Sequence, residues 1–596
     1  MTVINSMPPA FIYILGALIL PVVRIRRVQQ ALALLIPVIA MVSLLQLQPG
    51  IYWTGKFLGY DLVFGRVDKL SLLFAYVFVI ISFIGMVYAI HIRETGQHVA
   101  AYLYVGSTLG VVFAGDLFSL FVFWEIMAAS SVFLIWYNKT KTSLDAGFRY
   151  AMVHLLGGAI LLAGIVMQTA TTGSIAFNPF DLHTTAAKFI LVGFLINAAV
   201  PPLHAWLPDA YPEGTITGSV FMTAFTTKSA VYVLARSFAG TEMLVWLGAI
   251  MALYGVFYAV LEKDIRRLLA YHIVSQVGYM VCGVGLGTEM AINGATAHAF
   301  CHILYKAVLF MGMGAIIHVT GRRNIFDLKG RNLYRKMPIT LILYMVGAFS
   351  ISAVPLFNGF ISKTMVVAAA GYDHRPVIEL LLHLASVGTF LSVGLKLPWG
   401  AWFGKPTGQE DDIPEAKEPP INMLLAMGIG SFLCILTGIY PKLLYDLLPH
   451  PVHFHPYTPS HVVASLQLLI LTLAGFWLYL DKLMAGKPAI TLDTDWFYRQ
   501  FGRAVLLFCL YPLNRFRLLI QLAFAEKTKT VCRLSKNPYI LLEMIWASLQ
   551  GKNAVLETLL QRAYNENAYR IPIGIGVCAS LIFLFLYALV YMRVAG

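Results

Sequence analysis

The chain has 596 residues, of which 59% are hydrophobic and 12% charged. With a mean hydropathy of +0.74, it is too apolar for a soluble multidomain protein and reads as a polytopic α-helical membrane protein. The formal net charge of +14 does not point to nucleic acid, because the basic residues sit in short loops between apolar segments, the distribution expected of cytoplasmic loops.

The first apolar segment, 11–23, runs straight into Arg24, Arg26 and Arg27. No small-residue cleavage site follows it, so it reads as a retained helix and not a signal peptide. Counting it, about sixteen spans are expected, near 8–23, 30–47, 70–92, 98–115, 117–137, 146–169, 185–208, 216–237, 242–261, 267–287, 292–319, 338–370, 378–402, 421–445, 462–481 and 571–593. Basic residues follow the odd-numbered spans: Arg24 to Arg27, Arg93, Lys139 and Lys141, Lys263 to Arg267, and Arg322 to Lys336. That pattern puts the N-terminus outside and these loops in the cytoplasm.

Two spans are broken by proline in a similar way, one through Val200-Pro201-Pro202-Leu203-His204 and the other through Val354-Pro355-Leu356-Phe357-Asn358. Proline removes an amide and clashes with the preceding turn, so both helices should open within the membrane, where only protein or a water-filled cavity can take up the freed groups. They lie five spans apart, and an odd offset reverses direction. The expected fold is therefore all-α, with about 14 core transmembrane helices, two inverted five-helix repeats and two broken helices. Divided along the chain, this gives N-terminal helices over 1–97, a first repeat over 98–240, a second over 241–405, peripheral helices over 406–485, a lateral amphipathic helix over 486–570 and a final transmembrane helix over 571–596. In the lateral region no piece looks apolar enough to span, and interruptions are expected at Pro512 and Pro538.

Within the apolar spans sit ionisable groups that are expensive there and mark ion or proton pathways. His298, His302 and Lys306 recur at intervals of four, which places all three on one helical stripe about 12 Å long. Glu125 and Lys228 lie near the midplane, Lys363 follows the second break, and Lys396 approaches the cytoplasmic end of its span, where snorkelling competes with a channel role. Asn197, His204, Asp209 and His272 are accessory candidates. His450, His453, His455 and His461 fall among prolines in an expected outer loop and lack the spacing of a metal site. The cysteines Cys282, Cys301, Cys434, Cys509, Cys532 and Cys578 are scattered, so no disulfide framework, metal or iron–sulfur site is expected.

At these residues the chain resembles the antiporter-like subunits shared by Mrp-type cation/proton antiporters, membrane-bound hydrogenases and respiratory complex I. The resemblance rests on Gly115-Asp-Leu-Phe-Ser-Leu-Phe-Val-Phe-Trp-Glu125, Pro202-Leu-His-Ala-Trp-Leu-Pro-Asp-Ala210, Asp264-Ile-Arg-Arg-Leu-Leu-Ala-Tyr271, the histidine–lysine stripe and Gly359-Phe-Ile-Ser-Lys363. The wording looks most like the D-type subunit of Mrp antiporters, whereas the tail resembles the distal subunit of complex I, whose lateral helix braces its neighbours. The resemblance implies a relay through Glu125, Lys228, His298, His302, Lys306 and Lys363. One position departs: where the family has a lysine, five residues before Pro202, this chain has Asn197. An amide takes up no proton, so Glu125 must be neutral at rest or find another cation, such as Lys228.

The implied function is that of a proton-translocating subunit of a multisubunit complex in a bacterial plasma (inner) membrane, with cation/proton antiport as its extension. Its partners would be other membrane subunits, and its ions protons, with sodium the candidate second ion. No cofactor, metal or nucleic acid is expected. With no nucleotide loop or cysteine cluster, any NADH:quinone oxidoreductase or hydrogenase chemistry would belong to the assembly. Two alternatives stand beside it: a scaffold subunit that no longer pumps, which Asn197 favours, and an ion-coupled partner of a soluble module, as in inorganic-carbon uptake.

Overall fold

The computed structural model describes residues 7–404, 416–480, 492–536, 538–555, 558–559, 562 and 573–595. Parts of the expected peripheral and lateral segments (405–415, 481–491 and 563–572) lie outside the described residues. The chain divides into two units, Met1–Asp495 and Trp496–Gly596.

The first unit opens with α1 (Pro9–Ile19) and α2 (Arg26–Leu45), followed by a hairpin of β1 (Gly50–Phe57) and β2 (Tyr60–Val67). No strand is expected here from the sequence. The two-residue turn Leu58-Gly59 takes positive φ at both positions, 50° and 84°, the geometry that joins antiparallel strands without splaying them. Val63 donates its amide to Asp116, whose other carboxylate oxygen caps the helix beginning at Leu117, so the hairpin is fastened over that helix start.

Next come α3 (Lys69–Ala89), α4 (Thr95–Phe113), α5 (Leu117–Trp136), α6 (Lys141–Thr172), α7 (Thr185–Asn197), α8 (Trp206–Ala210), α9 (Ile216–Ala224), α10 (Thr226–Ser237), α11 (Glu242–Leu261), α12 (Ile265–Leu286) and α13 (Glu289–Thr320). Side-chain caps start most of them: Asp68, Asp116, Thr140, Thr184, Thr215, Asp264 and Thr288 each accept from an amide of the first turn. Two short helices, α14 (Ile325–Leu328) and α15 (Leu333–Lys336), lead to α16 (Pro338–Ile351), α17 (Asn358–Tyr372), α18 (Pro376–Thr389, continuing to Phe403 through wide π turns), α19 (Ile421–Ile439), α20 (Lys442–Tyr445) and α21 (Pro459–Leu478).

Twelve helices among the described residues are long and apolar enough to cross a membrane. Several expected spans are missing from that number. The spans at α1 and α7 are short, and those at 216–237 and 338–370 are split in two. Helices α12 and α13 are buried almost throughout and form the centre. α11 and α12 meet backbone to backbone: a Cβ on Gly278 would lie 2.5 Å from the Ala252 amide nitrogen, and one on Gly255 2.5 Å from that of Ser275.

Both expected breaks are present, and one closure makes both. Ala199 takes φ 57°; its amide bonds Ile196 at 3.1 Å and the Val200 amide bonds Leu195 at 3.2 Å. Ala353 also takes φ 57°, its amide bonding Ser350 at 3.0 Å while that of Val354 bonds Phe349 at 3.0 Å. This is the Schellman closure, built here on alanine instead of glycine and followed by Val-Pro in both places. The prolines prevent the helix from resuming; the left-handed alanines end it.

In the second unit, a helix runs through Asp495–Phe508, a π turn at Cys509–Leu513, and Asn514–Lys536. Two expectations are corrected. Pro512 does not interrupt this helix, because the π turn gives its ring room; and Asp495–Cys532 is long and apolar enough to span by length and composition. Separate helices follow over Pro538–Leu549 and Ile573–Ala595.

Candidate functional site

The stripe on α13 is real and central. His298, His302 and Lys306 are all fully buried. His298 Nδ1 lies 3.1 Å from the Ser362 hydroxyl on α17, and its Nε2 3.5 Å from the Tyr305 hydroxyl. The ring of His302 lies 6.3 Å from that of His298 and 5.2 Å from that of Tyr305. Among the described residues, neither ring nitrogen of His302 nor the ammonium of Lys306 has a hydrogen-bond partner. Buried groups of this kind must be wet or uncharged, since an unpaired charge in dry protein costs too much.

The remaining lysines are each placed at a helix end. Lys363 donates to the Ile351 carbonyl, the last of α16, at 3.0 Å, and lies 4.8 Å from the centre of the Tyr279 ring. Lys228 donates to the Thr223 carbonyl and to the Thr227 hydroxyl, beside the interruption between α9 and α10 at Phe225. Lys396 donates to the carbonyls of Val260 and Glu262 at the end of α11, at 2.6 and 2.8 Å. A cation at a helix C-terminus is favoured by the macrodipole. Lys396 is thus a buried cap on the end of α11. His272 on α12 reaches the Ser392 hydroxyl at 2.6 Å.

Glu125 is half-buried and pressed against α6, where a Cβ on Gly158 would fall 1.9 Å from its Oε1. Lys228 does not bond to it. The Oε1 has no hydrogen-bond partner among the described residues. The side-chain oxygen of Asn197 instead lies 3.0 Å from Nδ1 of His154, a buried residue of α6 that nothing in the sequence singles out. His154 lies one turn before Gly158 on the same face, about 6 Å along the axis. Its ring packs between Tyr150 and Trp206, with centroids 4.2 and 4.6 Å away. The available signal is faint: one histidine four residues after a tyrosine in an apolar span.

Asp209 forms a two-pronged ion pair with Arg149 of α6, at 2.7 and 2.9 Å. His204, in the opened stretch between α7 and α8, meets Asp493 at 3.0 Å. Beside Lys363 lies a cavity of about 250 Å³, lined among others by Ser352, Glu379, His383, Ser460 and His461. His461, expected on a loop surface, sits instead on the first turns of α21, with its Nδ1 buried. Glu379 and His383 are partly exposed, so the cavity beside Lys363 reaches the surface of the described residues at α18.

Residues 114–392 match the family described as NADH:quinone oxidoreductase/Mrp antiporter, transmembrane. The chain is 31% identical over 434 residues to a Na(+)/H(+) antiporter subunit of Alkalihalophilus pseudofirmus, covering 65% of this chain and 53% of that one. It is 29% identical over 447 residues to hydrogenase-4 component B of Escherichia coli, covering 67% and 66%. It spans about half the length of the curated relatives it matches first. A chain in the Mrp complex from Dietzia sp. DQ12-45-1b shares the fold, with a TM-score of 0.67 and 22% identity over 80% of this chain and 99% of that one.

Proposed function

We propose, for a chain homologous to the antiporter-type membrane subunits of Mrp antiporters, hydrogenases and complex I, that it translocates protons within a larger membrane complex. The carrying observation is the pair His302 and Lys306, buried at the centre of α13 without protein partners among the described residues and flanked by lysines that each hold an interrupted or terminated helix. A proton would pass from the Glu125 region by Lys228 to His302 and Lys306, then by His298 and Ser362 to Lys363 and its cavity. Asn197 alone would favour a scaffold that no longer pumps. The His154 ring bonded to it puts an ionisable residue type at that position, one helical turn from the Gly158 against which Glu125 lies, and favours transport.

Half-exposure of Glu125 on α5 supports a covering neighbour, since a carboxylate at this depth is not left to lipid. The Alkalihalophilus relative carries Na(+)/H(+) antiport in its name, which makes sodium the candidate for exchange. We read the membrane as a bacterial plasma membrane, and the loop charges support an N-terminus outside. The test is reconstituted complex with Lys306→Ala and Glu125→Ala: both should abolish ion-coupled acidification read by a pH-sensitive dye, and unchanged transport in both overturns the proposal.

A further inference from the structure

Just before the helix that begins at Asp495, the chain turns a carboxylate inward. Asp493 accepts from His204 Nε2 at 3.0 Å, from the Tyr271 hydroxyl at 2.6 Å, from the Tyr254 hydroxyl, and from the Thr494 amide at 2.6 Å. Its side chain is 2% exposed and that of His204 0%. With the Thr494 hydroxyl at 3.3 Å as a fifth, these donors use up what a carboxylate can accept. Leu492 is held as well, its carbonyl taking the Tyr258 hydroxyl at 3.0 Å.

The depth matters. Tyr254 lies seven residues before the end of α11 and Tyr271 six after the start of α12, so the two tyrosines that hold the carboxylate leave the helices about 9–10.5 Å inward from those ends. Irregular backbone at such depth is tolerated only where it is buried in protein. Here it fills the opened stretch at the first helix break. Hydrogen bonds to a carboxylate favour its charged form over the neutral acid, and a buried carboxylate with this many donors in turn favours a cation beside it. The other charged groups near it include Arg267, whose guanidinium lies 6.0 Å from the Tyr271 ring centre and pairs with Glu262 at 3.2 Å, the Arg149–Asp209 pair between α6 and α8, and Asp495 two residues on, whose charge acts on Arg149.

We propose that Asp493 is a positioning residue for proton transfer at the first helix break: it fixes His204 with Nε2 carrying hydrogen and Nδ1 facing the break as proton acceptor, and ties that state to the segment 492–494. This rests on the transport reading. A carboxylate on one imidazole nitrogen sets the tautomer and stabilises the imidazolium formed when the other takes a proton. His204 Nδ1 is buried and has no hydrogen-bond partner among the described residues. The proton arrives from water and leaves along the relay; no electrons move. Residues 492–494 thereby become part of the pathway, where a brace would only touch its outside.

The test uses the whole complex in proteoliposomes, with transport followed as a function of pH. Asp493→Asn removes a charge-assisted bond, for which about a tenfold loss is expected; the pH profile should move toward acid, because the carboxylate facing the imidazole is gone. His204→Gln should lower transport as far, the double variant no further, and Asp493→Glu should restore most of it. If Asp493→Asn does not assemble, Tyr254→Phe with Tyr271→Phe keeps the charge and removes two competing donors, and should weaken transport through lost positioning with a small shift of the opposite sign, toward alkaline, because the freed carboxylate holds the imidazolium more strongly. An unmoved profile in whichever of these variants assembles, or losses that multiply between positions 493 and 204, overturns the inference. Lys306→Ala in parallel separates the failures: if it too is silent, the transport reading falls, and if it alone is dead, only the role of Asp493 does.

Discussion

Lys306→Met separates transport from stability at the centre of α13. The ammonium is fully buried and makes no hydrogen bond to protein among the described residues; its nearest aromatic neighbour is Phe310, 5.8 Å from Nζ to the ring centre. A buried polar group without a partner costs about 1–3 kcal/mol, and more when charged. Methionine keeps most of the stem's length and apolar contact while removing the nitrogen, as when a buried ion is replaced by a side chain of similar volume. The variant should therefore assemble and be at least as stable as the parent, by up to about 1–3 kcal/mol, while proton transport disappears. Stability is read from the thermal midpoint of the detergent-solubilised complex, and transport from dye-monitored acidification of vesicles at matched protein. A variant destabilised by more than about 1 kcal/mol with transport intact would refute the reasoning, because Lys306 would then be a structural cation.

Ala353→Gly should raise the thermal midpoint, since a left-handed alanine costs roughly 1–2 kcal/mol and glycine returns about 0.5–1 of that to the unfolded chain; a lower midpoint would mean the closure is unstrained. Gly278→Val should lower the yield of monodisperse complex on size exclusion, because its Cβ meets the α11 backbone at 2.5–2.8 Å and backbone cannot yield, at a cost of about 1–3 kcal/mol or more. Asp68 caps α3 and pairs with Arg236 at 2.8 Å. Burial opposes its ionisation, but the bond and charge of Arg236 and the Ser71 amide outweigh it, so its folded value lies below its unfolded one. Its contribution is then complete above about pH 4 and lost as pH falls through the lower folded value. Asp68→Asn keeps the cap and should cost about 1 kcal/mol at pH 7, discounted for partial exposure, with the gap to the parent narrowing as pH falls below about 4; a gap independent of pH refutes the ionic origin.

What can be read from the sequence is whatever repeats within one helix or breaks it. His298, His302 and Lys306 announce themselves because a four-residue interval keeps one face, and the two breaks because proline cannot continue a helix. What escapes depends on partners remote in the chain. His154 means little until Asn197 is seen 3.0 Å away. Asp493 lies 289 positions from His204, among mixed charges that look like any solvated loop. The hairpin over 50–67 is hidden by its irregular alternation, since Trp53 itself takes a positive φ. Pro512 misleads because the rule for a regular α-helix does not hold where the helix widens into a π turn.

The lysines carry a distinction that residue type alone does not draw. Lys228, Lys363 and Lys396 each donate to carbonyls beside the end or interruption of a helix, whereas Lys306 donates to none among the described residues. A cation at a helix C-terminus gains about 0.3–1 kcal/mol from the macrodipole, and up to about 2 when partly buried. A lysine in that place which gives up its proton loses this attraction, and the helix end it holds loses a fixed neighbour. In the proposed relay, moving a proton through Lys363 would therefore perturb the end of α16 at the second break, and moving one through Lys228 would perturb the step between α9 and α10. Lys306, with no such hold, can change charge without disturbing backbone. In that relay the central station would be the one whose charge is uncoupled from backbone, and the flanking ones those where a change of charge would be felt as a change of shape.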